Sequence, residues 1–252
     1  MSLQEILFGF LVIATQFIEA VTGFGSTVMA LPFAIALSGV AVAVPVLSFH
    51  TWLFAIYVAA ADFKKILWRQ YAIVMLFVVL GLPIGMWAFS VLPETALRAA
   101  LALFMIAVSI NGIVRSIQRQ RPESPPPQGW KRIFFYLLLF LGGIIHGAFA
   151  TGGPLLIIYV TLVIKEKGNF RATMCAIWLS LNSILLLRFL LNGDFTPEIT
   201  RLSLLTLPFL LLGVILGNLA HKRIPDRHFT YIVYIILFLS GCVLAYSTFS
   251  VR

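Results

Sequence analysis

The sequence predicts an all-α polytopic membrane protein, built from two inverted repeats of five helical segments each. The second segment of each repeat is a short half-helix after a Gly-rich break. Hydrophobic residues make up 61% of the 252 residues and charged residues 11%, whereas about a quarter of a soluble domain is charged. Several apolar stretches are long enough to cross a bilayer, and the two halves of the chain align with each other. This composition excludes a soluble globular domain, a disordered tail and a secreted disulfide scaffold.

Six apolar segments have the length of a membrane-spanning helix. About 20 residues are needed, because each residue of an α-helix rises 1.5 Å and the hydrocarbon layer is roughly 30 Å thick. The six predicted spans are Val40 to Ala61, Gln70 to Leu92, Thr95 to Ile117, Phe170 to Leu191, Ile199 to His221 and His228 to Phe249.

The remaining apolar sequence forms two interrupted pairs. Leu3 to Thr22 is followed by Val28 to Leu37, and Ile133 to Ala150 is followed by Leu155 to Ile164. The second piece of each pair has about ten residues, which is too short to span a bilayer. The N-terminus lacks a basic region and carries Glu5, so we do not expect a cleaved signal peptide.

The basic residues predict the orientation in the membrane. Most of the 18 Lys and Arg residues fall in four clusters between apolar segments. Such clusters mark cytoplasmic loops, so both termini are predicted to be periplasmic. The same placement argues against a nucleic-acid partner despite the formal charge of +9. The clusters are Lys64, Lys65 and Arg69; Arg115, Arg119, Arg121, Lys131 and Arg132; Lys165, Lys167 and Arg171; and Lys222, Arg223 and Arg227.

An internal repeat surrounds the polar, proline-rich stretch Pro122 to Gly129. A shift of 132 residues aligns Asp62 with Asp194 and Gly81 with Gly213, and a shift of 127 aligns the two interrupted pairs. The predicted topology places the two aligned Asp loops on opposite sides, so the repeats are inverted, as is common in secondary transporters. We expect membrane repeat 1 over residues 1–117, a cytoplasmic linker over 118–131 and membrane repeat 2 over 132–252.

Each repeat contains a glycine-rich break, reading GFGST at residues 23–27 and TGGP at residues 151–154. Glycine permits a turn, and Ser, Thr and Pro suit the start of a helix. A helix start presents unpaired N–H groups and a partial positive charge, both of which favour an anion. Two such starts predict a central site for a small anion. The alternative is a pair of re-entrant kinks that serve packing.

The residues around both breaks resemble a known family. The run GFGSTVMALP, from Gly23 to Pro32, resembles the first Gly-rich motif of the TauE/SafE sulfite exporter family, and GAFATGGP, from Gly147 to Pro154, resembles the second. The resemblance implies a bacterial inner-membrane carrier that exports sulfite or an organosulfonate such as sulfoacetate. The sequence departs from the family where Ser26, Thr27 and Ala150 replace frequent glycines.

Polar residues inside the apolar segments are candidate functional groups, because they are costly in a membrane. Glu19 and His146 are repeat partners that could carry a coupling proton or fix the helix breaks. His50 and Asn182 are partners that could bind substrate oxygens or join helices, and Arg188 could bind an anion or extend to the membrane surface. We therefore predict proton coupling by Glu19 and His146, and substrate contacts from Gly23, Gly25, Ser26, Thr27, His50, Thr151, Gly152, Gly153, Asn182 and Arg188.

The favoured interpretation is a secondary anion transporter that works by alternating access and is coupled to protons. A passive channel, an intramembrane enzyme using Glu19 and His146, and a noncatalytic membrane partner protein are the alternatives. No nucleotide-binding or hydrolase motif is present, so no enzymatic activity, cofactor or metal is expected, and Cys175 and Cys242 lie in apolar runs. The expected partners are a small anion and the lipid bilayer, and a homodimer is compatible with the sequence.

Overall fold

The chain forms a bundle of α-helices in the computed structural model. The structure describes residues 2–118 and 129–221, and beyond these only 235, 238, 239, 241, 242, 244–246, 248 and 249. The described residues contain no β-strand. The helices are α1 (Leu3–Thr22), α2 (Ser26–Ser38), α3 (Val40–Ala61), α4 (Trp68–Val91), α5 (Glu94–Gln118), α6 (Trp130–Phe149), α7 (Gly153–Val163), α8 (Lys167–Leu191), α9 (Pro197–Leu205) and α10 (Leu207–His221), with a short 3-10 turn at Phe63–Lys65.

The predicted all-α membrane class is confirmed. Among the described residues, seven stretches are long and apolar enough to cross a membrane, with Pro197–Ala220 counted as one stretch. Both interrupted pairs are present as a long helix followed by a short one, with the short helices at Ser26–Ser38 and Gly153–Val163. The predicted span from His228 to Phe249 falls largely outside the described residues.

The predicted span from Ile199 to His221 is divided into two helices. α9 ends at Leu205, Thr206 adopts a turn, and α10 begins at Leu207 with Pro208 in its first turn. Proline lacks the N–H that would continue the hydrogen-bond ladder and is tolerated at a helix start. The division therefore follows from the position of Pro208.

Helices α3 and α8 form the centre of the bundle. Of the apolar window in each helix, 61% is buried for α3 and 56% for α8, against 28% for α4. The two central helices pack against each other, and the Trp52 indole of α3 donates to the Ser183 hydroxyl of α8 at 2.8 Å. Residues midway along α3 and α8 are therefore surrounded by protein.

The outer helices pair across the linker. Helix α1 packs along α10, and α6 packs along α4. The α4–α6 contact depends on glycine, because a methyl group added at Gly85 would overlap the Ile144 carbonyl oxygen, and one added at Gly147 would overlap the Leu82 carbonyl oxygen. Small residues at such positions let two membrane helices approach backbone to backbone. Each half of the chain thus supplies a helix that packs on the other half.

Candidate substrate site at the glycine breaks

The first break joins α1 to α2 through two glycines in the left-handed region. Gly23 has φ 84° and Gly25 has φ 102°, a conformation that is costly for residues with a side chain. The Gly23 N–H closes α1 by donating to the Glu19 carbonyl oxygen at 2.6 Å. A side chain at Gly23 would also approach the Arg171 backbone of α8, since an added Cβ lies 3.0 Å from its Cα.

The second break has the same positive φ at its first position, with a different residue there, but Gly152 before α7 has φ −64° where Gly25 before α2 is left-handed. Ala150 has φ 55°, and its N–H donates to the His146 carbonyl oxygen at 2.7 Å. Gly152 precedes α7, Gly153 is its first residue and Pro154 follows. Neither α2 nor α7 has a side-chain hydrogen bond that caps its start. The first-turn N–H groups of both short helices therefore lack a side-chain cap.

The two breaks meet at a small internal cavity between α3 and α8. Its volume is about 20 Å³, which is room for roughly one water molecule. Both breaks and the middle of both central helices contribute to its wall. The lining residues are Glu19, Gly25, Thr27, Val28, Thr51, Ala150, Thr151, Gly153, Pro154, Trp178 and Asn182.

On the side of the first break, the polar groups bond one another. The Ser26 hydroxyl donates to the Glu19 carboxylate. The Thr51 hydroxyl of α3 lies 3.2 Å from the Ser26 hydroxyl and 2.9 Å from the Thr27 hydroxyl. All four side chains are buried. This half of the site is a connected cluster of one carboxyl group and three hydroxyl groups.

On the side of the second break, the buried polar groups have no hydrogen-bond partner among the described residues. Both ring nitrogens of His146, the Thr151 hydroxyl and both amide atoms of Asn182 are in this state, and each residue is at most 1% exposed. Burying an unpaired polar group costs roughly 1–3 kcal/mol. The second half of the site therefore holds donors and acceptors that a ligand could satisfy.

Trp178 connects the two breaks. Its indole N–H donates to the Gly23 carbonyl oxygen at 3.1 Å, and its ring stacks on the His146 ring with the centroids 5.7 Å apart. A substituent at Gly153 would also meet this indole, 3.3 Å away. Trp178 therefore contacts both breaks, the first through the Gly23 carbonyl oxygen and the second through His146 and Gly153.

One positively charged side chain lies near the acidic end of the cavity. Arg171 of α8 is buried, acts electrostatically on Glu19 and donates from Nη2 to the Asn218 side-chain oxygen at 2.6 Å. Its guanidinium also lies 5.9 Å from the centre of the Phe54 ring. A buried cation held this way contributes positive potential close to the site.

Two of the predicted substrate contacts lie elsewhere. The His50 Nε2 atom lies 3.3 Å from the Ser203 carbonyl oxygen and 3.0 Å from the Thr206 hydroxyl, so its ring joins α3 to the division between α9 and α10. The Arg188 guanidinium lies 5.8 Å from the centre of the Phe89 ring. Neither residue lines the cavity.

The other predicted site residues lie at or beside the cavity. Ser26 connects to it through Thr51, and Gly23 and Gly152 flank it in the two breaks. His146 stacks on the cavity residue Trp178. The predicted residues that line the cavity are Glu19, Gly25, Thr27, Thr151, Gly153 and Asn182.

The sequence interpretation missed Thr51 and Trp178. Thr51 is the residue after His50, and one step along an α-helix turns the side chain by about 100°. Periodicity alone could not tell which of these neighbours faces the breaks. Trp178 stands in the same helix as Asn182, four residues earlier, and this spacing places both on one face. This spacing is the feature of the sequence that could have identified Trp178 as a residue of the site.

A larger depression of about 740 Å³ lies at the surface along α9. Its wall is mainly apolar and includes Phe195, Pro197 and Leu204. Arg201 lines it as well, and its guanidinium forms an ion pair with Glu5 at 2.9 Å. We assign the functional site to the smaller cavity, because buried unpaired polar groups and two helix starts meet there.

Comparison with known proteins agrees with this architecture. The chain is similar to the probable inner membrane transporter protein TsaS of Comamonas testosteroni, with 24% identity over 182 residues that cover 71% of this chain and 73% of the relative. No solved structure matches the chain. The model of the family described as sulfite exporter TauE/SafE matches residues 7–244. The chain therefore belongs to the TauE/SafE sulfite exporter family of membrane transporters.

Proposed function

We propose that this protein is a secondary transporter that exports a small sulfur-containing anion across the bacterial inner membrane, with coupling to protons. Sulfite or an organosulfonate such as sulfoacetate is the proposed substrate. Membership of the family and the similarity to an inner membrane transporter support this assignment. The observation that carries it is the cavity in which two uncapped helix starts meet the unpaired Asn182 and Thr151 side chains.

The chemistry of the cavity suits the oxygen atoms of such an anion. The Asn182 amide supplies two N–H donors and the Thr151 hydroxyl a third, and neither has a partner among the described residues. The starts of α2 and α7 add backbone N–H groups and positive dipole ends. Hydrogen bonds from these groups to an anion would remove the cost of their burial.

The size of the cavity favours alternating access over a fixed pore. Room for about one water molecule is too little for an anion with several heavy atoms. The helices must therefore separate for substrate to enter from either side. We propose that two inverted repeats, residues 1–117 and 132–252, rock against each other around the breaks. The equivalent pairing of α1 with α10 and of α6 with α4 supports the repeat relation between the halves.

The proposed topology places the linker, residues 118–131, in the cytoplasm and both termini in the periplasm. The four basic clusters in the sequence support this orientation. Reporter fusions after Gly129 and after Arg252 should then report opposite sides of the membrane. Fusions that report the same side would refute the inverted arrangement.

We assign the coupling proton to Glu19, because this carboxyl group is buried at the cavity and bonded to Ser26. His146, its partner in the repeat, is the second candidate. A proton-binding group next to the substrate site allows direct coupling, since each ligand can then change the affinity for the other.

Uptake of labelled sulfite into proteoliposomes, with and without a pH gradient, tests the proposed function. We expect saturable flux that excess sulfoacetate inhibits. Thr151→Val should reduce the flux roughly tenfold or more, which is the contribution of one hydrogen bond to an anion. Thr161→Val is the matched control, because that hydroxyl bonds the Ile157 carbonyl oxygen within α7, away from the cavity. Absence of flux and of inhibition by any anion in folded protein would refute the assignment.

A further inference from the structure

The Ser26, Thr51 and Thr27 hydroxyl groups form a chain that starts at Glu19 and runs along the cavity wall, of which Glu19 is itself a part. The contacts run from the Glu19 carboxylate to Ser26, from Ser26 to Thr51 at 3.2 Å, and from Thr51 to Thr27 at 2.9 Å. Thr51 and Thr27, at the far end of the chain, both line the cavity. Each hydroxyl group has one proton to donate and can accept from its neighbours.

With Glu19 ionised, the direction of every contact in this chain is fixed. The carboxylate can only accept, so Ser26 donates to Glu19. Thr51 then donates to Ser26, and Thr27 donates to Thr51. Three hydroxyl protons fill three contacts, and none is left over. The cavity then faces hydroxyl lone pairs on this side, which repel an anion.

One proton added to Glu19 changes this count. The cluster now holds four protons for the same three contacts, so one O–H group has no acceptor within the cluster. With Glu19 donating to Ser26, Ser26 donates to Thr51 and Thr51 to Thr27. The surplus O–H is then that of Thr27, which lines the cavity.

We propose that Ser26, Thr51 and Thr27 act as a relay by which protonation of Glu19 gives the cavity one additional hydrogen-bond donor, so that the proton and the anion bind together. The proposal rests on the anion site proposed above and names its positioning residues. Because coupling between two ligands is reciprocal, the bound anion also favours the protonated carboxyl group. Ser26 and Thr51 act through Thr27 and need not contact the anion.

Glu19 itself lines the cavity, so its negative charge also opposes an anion directly, and the relay adds a hydrogen-bond donor to that effect. Further groups surround the carboxylate. Helix α8 contributes the charged Arg171 and the titratable Cys175, which interact with Glu19 electrostatically. On α1 itself, the Gln16 side chain bonds the carboxylate. The neighbouring α10 contributes Gly213, which faces Gln16. None of these residues lines the cavity.

Joint binding remains compatible with export. Sulfite and sulfoacetate can each move as a dianion, and a dianion with one proton keeps a net charge of −1. A membrane potential that is negative inside drives that charge outward. The proton would travel with the anion, at the cost of any opposing pH gradient.

Calorimetric titration of sulfoacetate into the purified full chain at about pH 5.5 and about pH 8.5 tests the relay. The carboxyl group of this ligand ionises near that of Asp, at about pH 4, so its charge is constant over the range. We expect the wild-type affinity to be roughly tenfold or more higher at the lower pH, the worth of one hydrogen bond to an anion. Ser26→Ala should lose most of this difference and keep only the weaker dependence on pH that the charge of Glu19 produces directly. Glu19→Gln, whose amide donates permanently, should keep the higher affinity at both values.

The matched control is Ser48→Ala, since the Ser48 hydroxyl is buried on α3 but donates to the Val44 carbonyl oxygen at 2.7 Å. It should keep the wild-type dependence on pH. If Ser26→Ala does not fold, Thr51→Val interrupts the same chain and carries the same expectation. Thermal unfolding of each variant separates lost folding from lost binding.

Three results would overturn the relay while leaving the anion site in place. They are binding by the wild type without dependence on pH, a dependence as large as that of the wild type in both relay variants, and dependence retained in Glu19→Gln. The second would mean that Glu19 acts on the anion directly from the cavity wall. No binding of sulfoacetate, sulfite or other small anions by folded wild type would overturn both the relay and the proposed function.

Discussion

The two glycine breaks share the way in which their first residue ends the preceding helix, but they differ in how their polar groups are bonded. In each, a residue with positive φ closes the preceding helix through a bond to the carbonyl oxygen four residues earlier, Gly23 to Glu19 and Ala150 to His146. At the first break, carboxyl and hydroxyl groups satisfy one another. At the second, His146, Thr151 and Asn182 have no partner among the described residues.

This difference indicates that a repeated scaffold can divide two tasks between its halves. A self-satisfied cluster can hold Glu19 without a ligand, because its hydrogen bonds are complete while the carboxylate is ionised and only one donor is left over once it is protonated. Unpaired buried donors reduce stability by roughly 1–3 kcal/mol each unless a ligand or water bonds them. We infer that the first break senses protons and the second supplies most substrate contacts.

Of the substitutions that test this difference between the breaks, Asn182→Leu should have the largest effect on transport and stability. It removes an unpaired amide while keeping a similar side-chain volume. Sulfite flux should fall roughly tenfold or more, because donors to the anion are lost. Stability should rise by about 1 kcal/mol, because two unsatisfied polar atoms leave the interior. Transport in proteoliposomes and thermal unfolding in detergent measure the two changes.

At the first break, the substitution that corresponds to Asn182→Leu is Thr51→Val. It should lower the free energy of unfolding by about 1 kcal/mol, because the Ser26 and Thr27 hydroxyl groups lose a hydrogen-bond partner. The two substitutions should thus shift the unfolding temperature in opposite directions. A shift downward in both would mean that the Asn182 amide is already satisfied, and the contrast between the breaks would fail.

The next effect concerns the backbone at equivalent positions of the breaks. Gly23→Ala should lower the free energy of unfolding by about 2 kcal/mol, because φ is 84° and the added Cβ crowds Arg171. Ala150→Gly should raise it by at most about 1 kcal/mol. Relief of the positive φ at Ala150 is partly offset by the greater freedom of glycine in the unfolded chain. If thermal unfolding shows that both substitutions lower the stability, Ala150 is not strained, and the two breaks differ in backbone strain.

The smallest effect is expected from His146→Phe. The aromatic ring keeps the stacking on Trp178, and two unpaired buried nitrogens are removed, so stability should change by less than about 1 kcal/mol. The dependence of transport on pH should persist, since the ring nitrogens bond no described group that could relay a proton. Flux measured across a pH series checks this. Loss of the dependence would transfer the proton role from Glu19 to His146.

Much of the fold could be predicted because a bilayer restricts the possible structures. Length and apolar composition locate the spans, and Gly and Pro locate the breaks, so α1 to α4 and α6 to α8 lie close to their predicted bounds. The division of the predicted span at Thr206 was missed. Helices tolerate Pro32, Pro45 and Pro83 in this chain, and the sequence does not distinguish those positions from Pro208.

The site could be predicted in part, because the repeat locates it but does not orient the side chains. Glycine patterns and the polar pair of Glu19 and His146 identified both breaks. The sequence does not predict the rotation of α3 about its axis. This rotation determines that Thr51 rather than His50 lines the cavity. The contrast in bonding between the halves also required coordinates, since it depends on which hydroxyl groups come within 3.2 Å of one another.

The exchange of outer helices between the halves has a consequence for biogenesis. Helix α1 leaves the ribosome first but packs along α10, which is synthesised about 200 residues later. Its buried Glu19 and Gln16 must wait in the insertion machinery or in lipid until the second half arrives. We therefore expect the first half alone to be less stable in the membrane than the complete chain. Two separately translated halves, cut within the linker, should assemble into a working transporter only when both are made together.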